Sequence, residues 1–315
     1  MGHNPLVSII IPTYNRKREL IRLVKSIKQS SYPKENTEII VVDDSSTDGT
    51  NYTIKRRFPD VKVVRNTKEK MPSGARNIGI KCSKGDYLFF VDDDNVIDRQ
   101  AISELVNFME SNKNVGLIGP IMYYYSTPRE IWCAGGKLRR PLCIQTHIFQ
   151  YKKSDNLPLK KMYAIECEYI PNAFMVRRHI IREIGFFDEE NFPIAWEDID
   201  FSLRIKQKGY QIVIIPQAKV WHDVPTAKDF HIDEKRAFFR GRSRARFYLK
   251  YAPVRILLLP IDMLGFCGVL FAYDKGSRGL KKLLQYLKGI IYGLVLTNST
   301  NQSRRKNSED FSKII

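Results

Sequence analysis

Cysteine is scarce in this 315-residue chain, and what there is forms no pattern. The five cysteines, at 82, 133, 143, 167 and 267, include no C-x-x-C pair and are odd in number. That argues against a zinc ribbon or a disulfide scaffold and favours a reducing compartment. Neither G-x-G-x-x-G nor a Walker loop occurs, so the usual dinucleotide and NTPase readings lose support. A long apolar opening run is also missing. Residues 7–11 are too few for the hydrophobic region of a signal peptide, and no small-residue cleavage site follows. Acids are the minority, 34 Asp and Glu against 52 Lys and Arg, for a formal net charge of +18. Such a charge predicts attraction to something anionic: nucleic acid, an acidic membrane surface or phosphorylated ligands. The apolar and charged fractions, 43% and 27%, exclude global disorder and leave ample core for one large or two modest domains.

What is present centres on Tyr87–Val91, five apolar residues followed by Asp92, Asp93, Asp94 and Asn95. A short buried strand that stops in three carboxylates and an amide has two readings. Either Asp94 or Asn95 caps the helix that residues 99–110 predict, or the acids hold a divalent cation through hard oxygen ligands. The first hundred residues alternate strand and helix. Strands are predicted at 7–11, 39–42, 61–64 and 87–91, with helices around Leu20–Ile27 and over 74–82. Continuous apolar strands in that alternation mean a parallel sheet covered on both faces, whose ligands lie beyond the strands' carboxyl ends. Pro12, Thr13, Tyr14 and Asn15, then Asp43 and Asp44, then Asp92 to Asp94 all fall at that edge. Each cluster alone also suits a turn; their convergence favours a site.

From 115 to 176 the predicted strands become short and irregular. A short helix at 179–184 follows, then Gly185-Phe186-Phe187-Asp188-Glu189 and Trp196-Glu197-Asp198-Ile199-Asp200. Ile199/Leu203 and Phe201/Ile205 fall at i,i+4, so Glu197 and Asp198 open a helix ending near Gly209. Acids there complement the helix dipole; alternatively one of them is a general base on a rigid element. Extended segments at 212–215 and 219–222 close with Trp221 and His222.

These blocks, in this order over roughly residues 6–224, resemble family-2 inverting glycosyltransferases of the GT-A fold. The carriers are Ile11 to Asn15, Val41 to Asp48, Gly74-Ala75-Arg76-Asn77-Ile78-Gly79, Gly85 through Asp94, Arg177-Arg178, the two blocks just quoted, Arg204, Gly209-Tyr210 and His222. Within the family they look most similar to rhamnosyl- and galactofuranosyltransferase-like members. The resemblance implies a Rossmann-like, mostly parallel central sheet flanked by helices, with a C-terminal helical membrane-associated extension. It implies a nucleotide-sugar donor held by Pro12, Thr13, Tyr14, Asn15, Asp43, Asp44, Arg76, Asn77, Asp92 and Asp93. Mn²⁺ or Mg²⁺ would sit on Asp92, Asp94 and His222, and Asp198 would be the catalytic base with Glu197 beside it. Asn172 departs from the pattern, standing where many members carry Gly, although Asn tolerates positive φ better than most residues. The implied partition is 1–227 for catalysis (1–112 donor half, 113–227 acceptor half), 228–298 for the extension and 299–315 for a polar tail.

Residues 228–315 hold eighteen Lys and Arg against seven Asp and Glu. Arg236, Arg240 and Arg244 repeat every four residues, with Arg242 and Arg246 on a neighbouring face. Residues 256–273 are apolar but interrupted by Pro260 and Asp262, short of the roughly 20 residues a span requires. The expectation is an interfacial anchor that meets anionic lipid on the cytoplasmic face of the cell membrane, near a glycan or polyprenyl-linked acceptor. For this segment the alternatives are a transmembrane helix and packing of these helices on the catalytic domain. Two alternatives stand beside this reading. A nucleotidyltransferase acting on a sugar phosphate would share the sheet and the acids without needing Trp196–Asp200 or His222. A nucleic-acid binder would share the charge, but the basic residues crowd the tail and no RRM-, KH- or zinc-type signature is present, so nucleic acid is not an expected partner.

Overall fold

Val7–Thr13 is buried almost throughout because strands flank it on both sides and helices cover its faces. The computed structural model describes residues 4–139, 143–224, 233–252, 260, 264 and 277–295. In chain order the elements are β1 (Val7–Thr13), α1 (Lys17–Lys28), β2 (Thr37–Asp43), α2 (Thr50–Arg57), β3 (Lys62–Arg65), α3 (Met71–Cys82), β4 (Tyr87–Val91), β5 (Asn95–Ile97) and α4 (Ala101–Ser111). The second half runs β6 (Val115–Tyr124), β7 (Ile131–Cys133), β8 (Gly136–Arg139), β9 (Ile144–His147), β10 (Ile165–Glu166), β11 (Ala173–Arg177), α5 (Arg178–Ile184), α6 (Glu197–Gln207), β12 (Gln211–His222), α7 (Glu234–Tyr251) and α8 (Ser277–Val295).

The main sheet has the order β10-β12-β6-β11-β4-β1-β2-β3, with β5 added to β12 and β7 to β6. The parallel sheet predicted over the first hundred residues is found, whereas the mostly parallel sheet implied for the whole chain needs correcting to a mixed one. Parallel pairing holds across β3-β2-β1-β4 and again between β6 and β12, while β11 is antiparallel to both β4 and β6. The reason lies in the chain path. After β6 the chain makes an excursion over residues 125–172 and re-enters from the carboxyl edge, so β11 must run back. It thereby sets Asn172, one residue before Ala173↔Val91, opposite Asp92.

Two local expectations also change. Helix α2 went unforeseen because turn residues precede it and Ile54 is its one buried large apolar side chain. Helix α4 takes no side-chain cap from Asp94 or Asn95; β5 intervenes and starts at Asn95. Antiparallel pairing of β5 with β12 puts Asn95 opposite His222. Register is therefore what carries the end of β12 to the acids after β4.

The C-terminal helices pack on the rest of the chain. A second apolar cluster joins Phe192, Trp196 and Ile199 to Phe247 and Tyr248 of α7 and to Tyr286 and Ile290 of α8. A Cβ at Gly241 would strike the Tyr286 carbonyl, and one at Gly289 would strike that of Phe238, so only glycine lets the two helices approach this closely. Among the described residues no helix is long and apolar enough to cross a membrane. The apolar stretch 256–273 lies outside the described residues apart from Pro260 and Leu264.

Candidate active site

In the order β3-β2-β1-β4 the chain reverses its direction of winding beside β1, which opens a crevice at the carboxyl ends of β1 and β4. Thr13 Oγ1, at the end of β1, donates to Asp93 Oδ2 just past β4 at 2.7 Å. Across that point lies a cleft of about 900 Å³. Of the residues expected for donor binding, Pro12, Thr13, Tyr14, Asp44, Asp92 and Asp93 line it, as do Asp94, Glu197 and Asp198.

The others do different work. Asn15, at φ 54°, staples two loops: its amide N–H donates to Ser46 Oγ at 2.9 Å and its Oδ1 accepts from Thr47 N at 2.7 Å. Asp43 is wholly buried and accepts from Ser46 N at 2.9 Å. Asp44 accepts the backbone N–H of Lys70 and of Met71, both at 2.8 Å, which is why α3 starts at Met71 rather than at Gly74. Asn77 fastens the Gly185–Glu189 block instead of facing the cleft, donating to the Phe187 carbonyl at 2.9 Å and to Glu189 Oε2 at 3.0 Å. Arg76 is 2% exposed and lies beneath the cleft wall, bridging Asp92 Oδ1 (2.6 Å) and Glu197 Oε1 (3.1 Å).

Two adjacent buried carboxylates, Asp93 and Asp94, do not ionise alike, and their surroundings divide them. Burial, reinforced by Asp94, pushes Asp93 well above the usual carboxylate range. Burial also opposes ionisation of Asp94, but His222 and Arg16 outweigh it and bring that carboxyl down to about 2. Arg16 pairs with Asp94 and lies 3.6 Å from Asp93. Sequence reasoning missed this residue, although it directly follows Tyr14-Asn15 and caps α1 at the same edge.

The donor set suits a divalent cation. His222 Nε2 lies 3.3 Å from Asp94 Oδ1, an oxygen that is buried without a hydrogen-bond donor. Asn172, at φ 65°, brings its Nδ2 to 3.3 Å from Asp92 Oδ2 and 3.1 Å from His222 Nε2, tying the two together. Trp132 packs edge-on against the His222 ring at 4.4 Å and fixes its plane. The orphaned Asp94 oxygen and the His222 nitrogen thus converge at one point, a pairing of ligand atoms that suits a cation. Among the described residues, however, no three His, Cys, Asp or Glu side chains already converge into a closed metal site. Arg16 and Arg76 supply the countercharge instead, and Asp92 is turned toward Arg76.

On the facing wall, Ala195 and Trp196 both adopt left-handed backbone, φ 59° and 70°, immediately before α6. Such strain persists only where packing over-determines it. Here Trp196 lies between Phe247 (ring centroids 4.3 Å apart) and the Arg244 guanidinium (4.2 Å) of α7. The sharp turn presents Glu197 and Asp198 in different directions. Glu197 is buried against Arg76, whereas Asp198 is half-buried at the cleft, one oxygen accepting Ile199 N at 2.8 Å. Burial first, then Glu197, pushes Asp198 up to about 8. Of the two acids at the helix start, Asp198 therefore has the placement of a base and Glu197 that of an ion-pair partner.

The remaining wall was not foreseen. Arg236, Arg240 and Arg244 of α7 and Tyr286 of α8 line the cleft. The four-residue spacing was visible in the sequence; the packing of α7 is what sets these arginines along the cleft. Lys250 and Tyr251 anchor its end on the buried Asp200 carboxylate, at 2.6 and 2.7 Å.

Comparison with known proteins follows the same lines. The Glycosyl transferase family 2 profile matches residues 8–185. A probable glycosyltransferase of Bacillus subtilis, YdaM, is 28% identical over 286 residues, covering 88% of this chain and 65% of its own length. The chain thus spans just under two thirds of that relative. WfaP of Escherichia coli, named a UDP-Glc:alpha-D-GlcNAc-diphosphoundecaprenol beta-1,3-glucosyltransferase, is 40% identical over 110 residues, 34% of this chain and 43% of its own. In structure, the Pyrobaculum calidifontis mannosyltransferase PcManGT, solved with GDP-Man and Mn²⁺, superposes with a TM-score of 0.56 at 16% identity. That superposition covers 94% of this chain and 89% of the other, a likeness of fold alone. With the profile matched over more than half its length, the chain belongs to glycosyl transferase family 2.

Proposed function

We propose that this chain is a metal-dependent, inverting glycosyltransferase that moves a sugar from a nucleotide-sugar donor to an acceptor hydroxyl. The observation that carries the reading is Asp198, held at the start of α6 across the cleft from Asp92–Asp94. Asp198 takes the proton of the acceptor hydroxyl as its oxygen attacks the anomeric carbon. The bond to the nucleoside diphosphate breaks on the opposite face, so configuration inverts without a covalent enzyme intermediate. Asp92, Asp94 and His222 would hold Mn²⁺ or Mg²⁺, which when bound offsets the negative charge of the leaving diphosphate. Arg76 acts through Asp92 and Glu197 as a positioning residue, and Tyr14 and Asp44 border the donor side. The names of the relatives favour a lipid-linked or surface-glycan acceptor. Within the family, the sequence motifs resemble those of rhamnosyl- and galactofuranosyltransferase-like members.

The test is a panel of nucleotide sugars offered with Mn²⁺ or Mg²⁺, reading slow nucleotide release. At least one donor is expected to be turned over, and chelator should stop it. Asp94→Asn should lose metal-dependent binding of the nucleoside diphosphate while leaving the fold intact by circular dichroism. Equal affinity in that variant, with and without chelator, would remove Asp94 from the metal site.

We further place the enzyme peripherally at the cytoplasmic face of a membrane. Support comes from α8, where Leu280, Leu284, Ile291 and Val295 are exposed along one side with Lys281 and Lys288 among them. An apolar stripe flanked by cations suits an anionic interface. Leu284→Glu with Ile291→Glu is expected to release the full chain from anionic liposomes in co-sedimentation. Undiminished binding by that double variant would place any membrane contact elsewhere.

A further inference from the structure

Helix α7 carries three guanidinium groups along one side of the cleft. Arg236, Arg240 and Arg244 lie at i, i+4 and i+8, so the ridge extends about 12 Å at 1.5 Å per residue. Like charges at that spacing repel, and an isolated helix would be weakened by them. This helix is held firmly instead. Asp233 Oδ1 caps it by accepting Arg236 N at 2.7 Å, Ser243 Oγ donates to the Ile194 carbonyl at 3.1 Å, and Lys250 pairs with Asp200 at 2.6 Å. Arg244 is clamped hardest. Its guanidinium stacks on Trp196 and reaches Tyr248 Oη at 3.2 Å.

The acids across the cleft are already served by other cations. Arg16 meets Asp93 and Asp94, and the buried Arg76 joins Asp92 to Glu197. The α7 ridge thus brings a second set of guanidinium groups to the cleft wall, Arg236 among them with Asp233 of its own helix 3.7 Å away. Burial works against the charge on Arg240, with Glu197 the main group that restores it. A doubly charged ligand between the walls would relieve the repulsion along the ridge. Guanidinium forks bind phosphate oxygens two at a time, which a carboxamide or a neutral sugar cannot match.

We propose that the α7 ridge is a phosphate-binding wall of the cleft, with Arg236 and Arg240 receiving substrate phosphate oxygens and Arg244 fixing the helix beside Trp196. Two substrates are able to bring that phosphate: the donor, through its diphosphate, or an acceptor that carries a phosphate near the reacting hydroxyl. Only this choice of source rests on the transferase reading; the anion site stands on the geometry of α7. Arg236 lies toward the donor side, one residue from the Lys235–Glu69 pair, and Arg244 toward Cys143 and Trp196. The ridge therefore spans the line along which donor and acceptor meet.

The experiment uses the full chain as wild type, Arg240→Gln, Arg240→Lys and the double variant Arg236→Gln/Arg240→Gln. Inorganic pyrophosphate is titrated calorimetrically with chelator present, so that the acids and any metal are silent, at low and high salt. The double variant is expected to bind pyrophosphate at least tenfold more weakly with a shallower salt dependence, and Arg240→Lys to fall between, since it keeps the charge but loses the fork. Two further arms assign the source. UDP, GDP, dTDP, ADP and CDP against uridine, with Mn²⁺, report the donor; a polyol-phosphate oligomer against the free polyol reports the acceptor. Equal pyrophosphate affinity in all four proteins, with matching circular dichroism, would overturn the proposal. So would a wild type that binds no pyrophosphate at millimolar concentration. A wild type that binds pyrophosphate through the ridge but none of the nucleoside diphosphates UDP, GDP, dTDP, ADP and CDP keeps the anion site and removes the transferase reading.

Discussion

Asp198→Asn is expected to bind nucleoside diphosphate and metal as the wild type does and to transfer sugar about 10²–10⁴-fold more slowly, the usual worth of a general base. The substitution keeps the shape and the bond from Ile199 N, and removes only the ability to take a proton. The wild type carries a second signature. Burial beside Glu197 raises this carboxyl to about 8, so the fraction able to accept a proton grows across the neutral range. Transfer should rise with pH toward that value and level off above it. Stability should move the opposite way. A carboxyl whose folded pKa is raised keeps its full contribution below its unfolded value near 4, and the contribution is lost as pH rises through about 8. The native state of the wild type therefore weakens over the window in which its base becomes active. The Asn variant carries no such charge and should melt higher than the wild type at pH 9, while matching it near pH 4. Full transfer activity in Asp198→Asn would move the base elsewhere. A wild-type melting temperature that climbs from pH 6 to pH 9 would contradict the burial of a chargeable group at this site.

The parts of this architecture that sequence could reveal are those written in local pattern. Runs such as Val7–Thr13 and Tyr87–Val91 are apolar at every layer because both faces are covered, and that reads directly as a parallel core. The clustering of Thr13, Asp44 and Asp92–Asp94 followed from strand direction alone, since parallel strands bring their ends to one edge. Asn172 is instructive in the same way. A left-handed position normally given to glycine is tolerated by asparagine, and its amide then reaches Asp92 and His222.

What stayed hidden depends on pairing between distant segments. Nothing local in Ala173–Arg177 says that β11 runs antiparallel between β4 and β6; the direction follows from where the preceding excursion ends. Arg76 and Asn77 look like phosphate ligands at a helix entry, yet α3 begins at Met71 because Asp44 caps it from 26 residues away in β2's loop. Both side chains are consequently a turn inside the helix: Asn77 meets Phe187 and Glu189, and Arg76 is buried between Asp92 and Glu197. The arginines of α7 show the same limit: spacing by four defines a face but not what that face meets, and the packing of Phe247 and Tyr248 on Trp196 is what brings that face to the cleft.

Arg76→Met is expected to be the most damaging single change to stability. Arg76 is 2% exposed, and its guanidinium is the charge partner of both Asp92 and Glu197. Burial by itself would lower its affinity for the proton, but Asp92, Glu197 and Asp198 hold it firmly charged. Removing one member of a buried pair leaves the other charge without compensation, at a cost of about 3–5 kcal/mol. For a chain of this size that corresponds to a fall in melting temperature on the order of 10 °C. Glu197, already raised by burial, loses the Arg76 contribution that keeps it down and should take up a proton. The sign follows from that uptake. The variant's deficit is smallest at low pH, where the unpaired Glu197 is neutral, and grows as pH rises and the acid is forced to ionise. Adding Glu197→Gln removes the stranded charge, so the double variant should recover a substantial part of the loss at pH 8 and little at pH 5. Circular-dichroism melts of the four proteins of this cycle at both pH values measure the coupling directly. A deficit that is small, independent of pH and untouched by Glu197→Gln would mean that Arg76 is held by its stacking on Phe187, 5.5 Å from the ring centroid, and not by its charge.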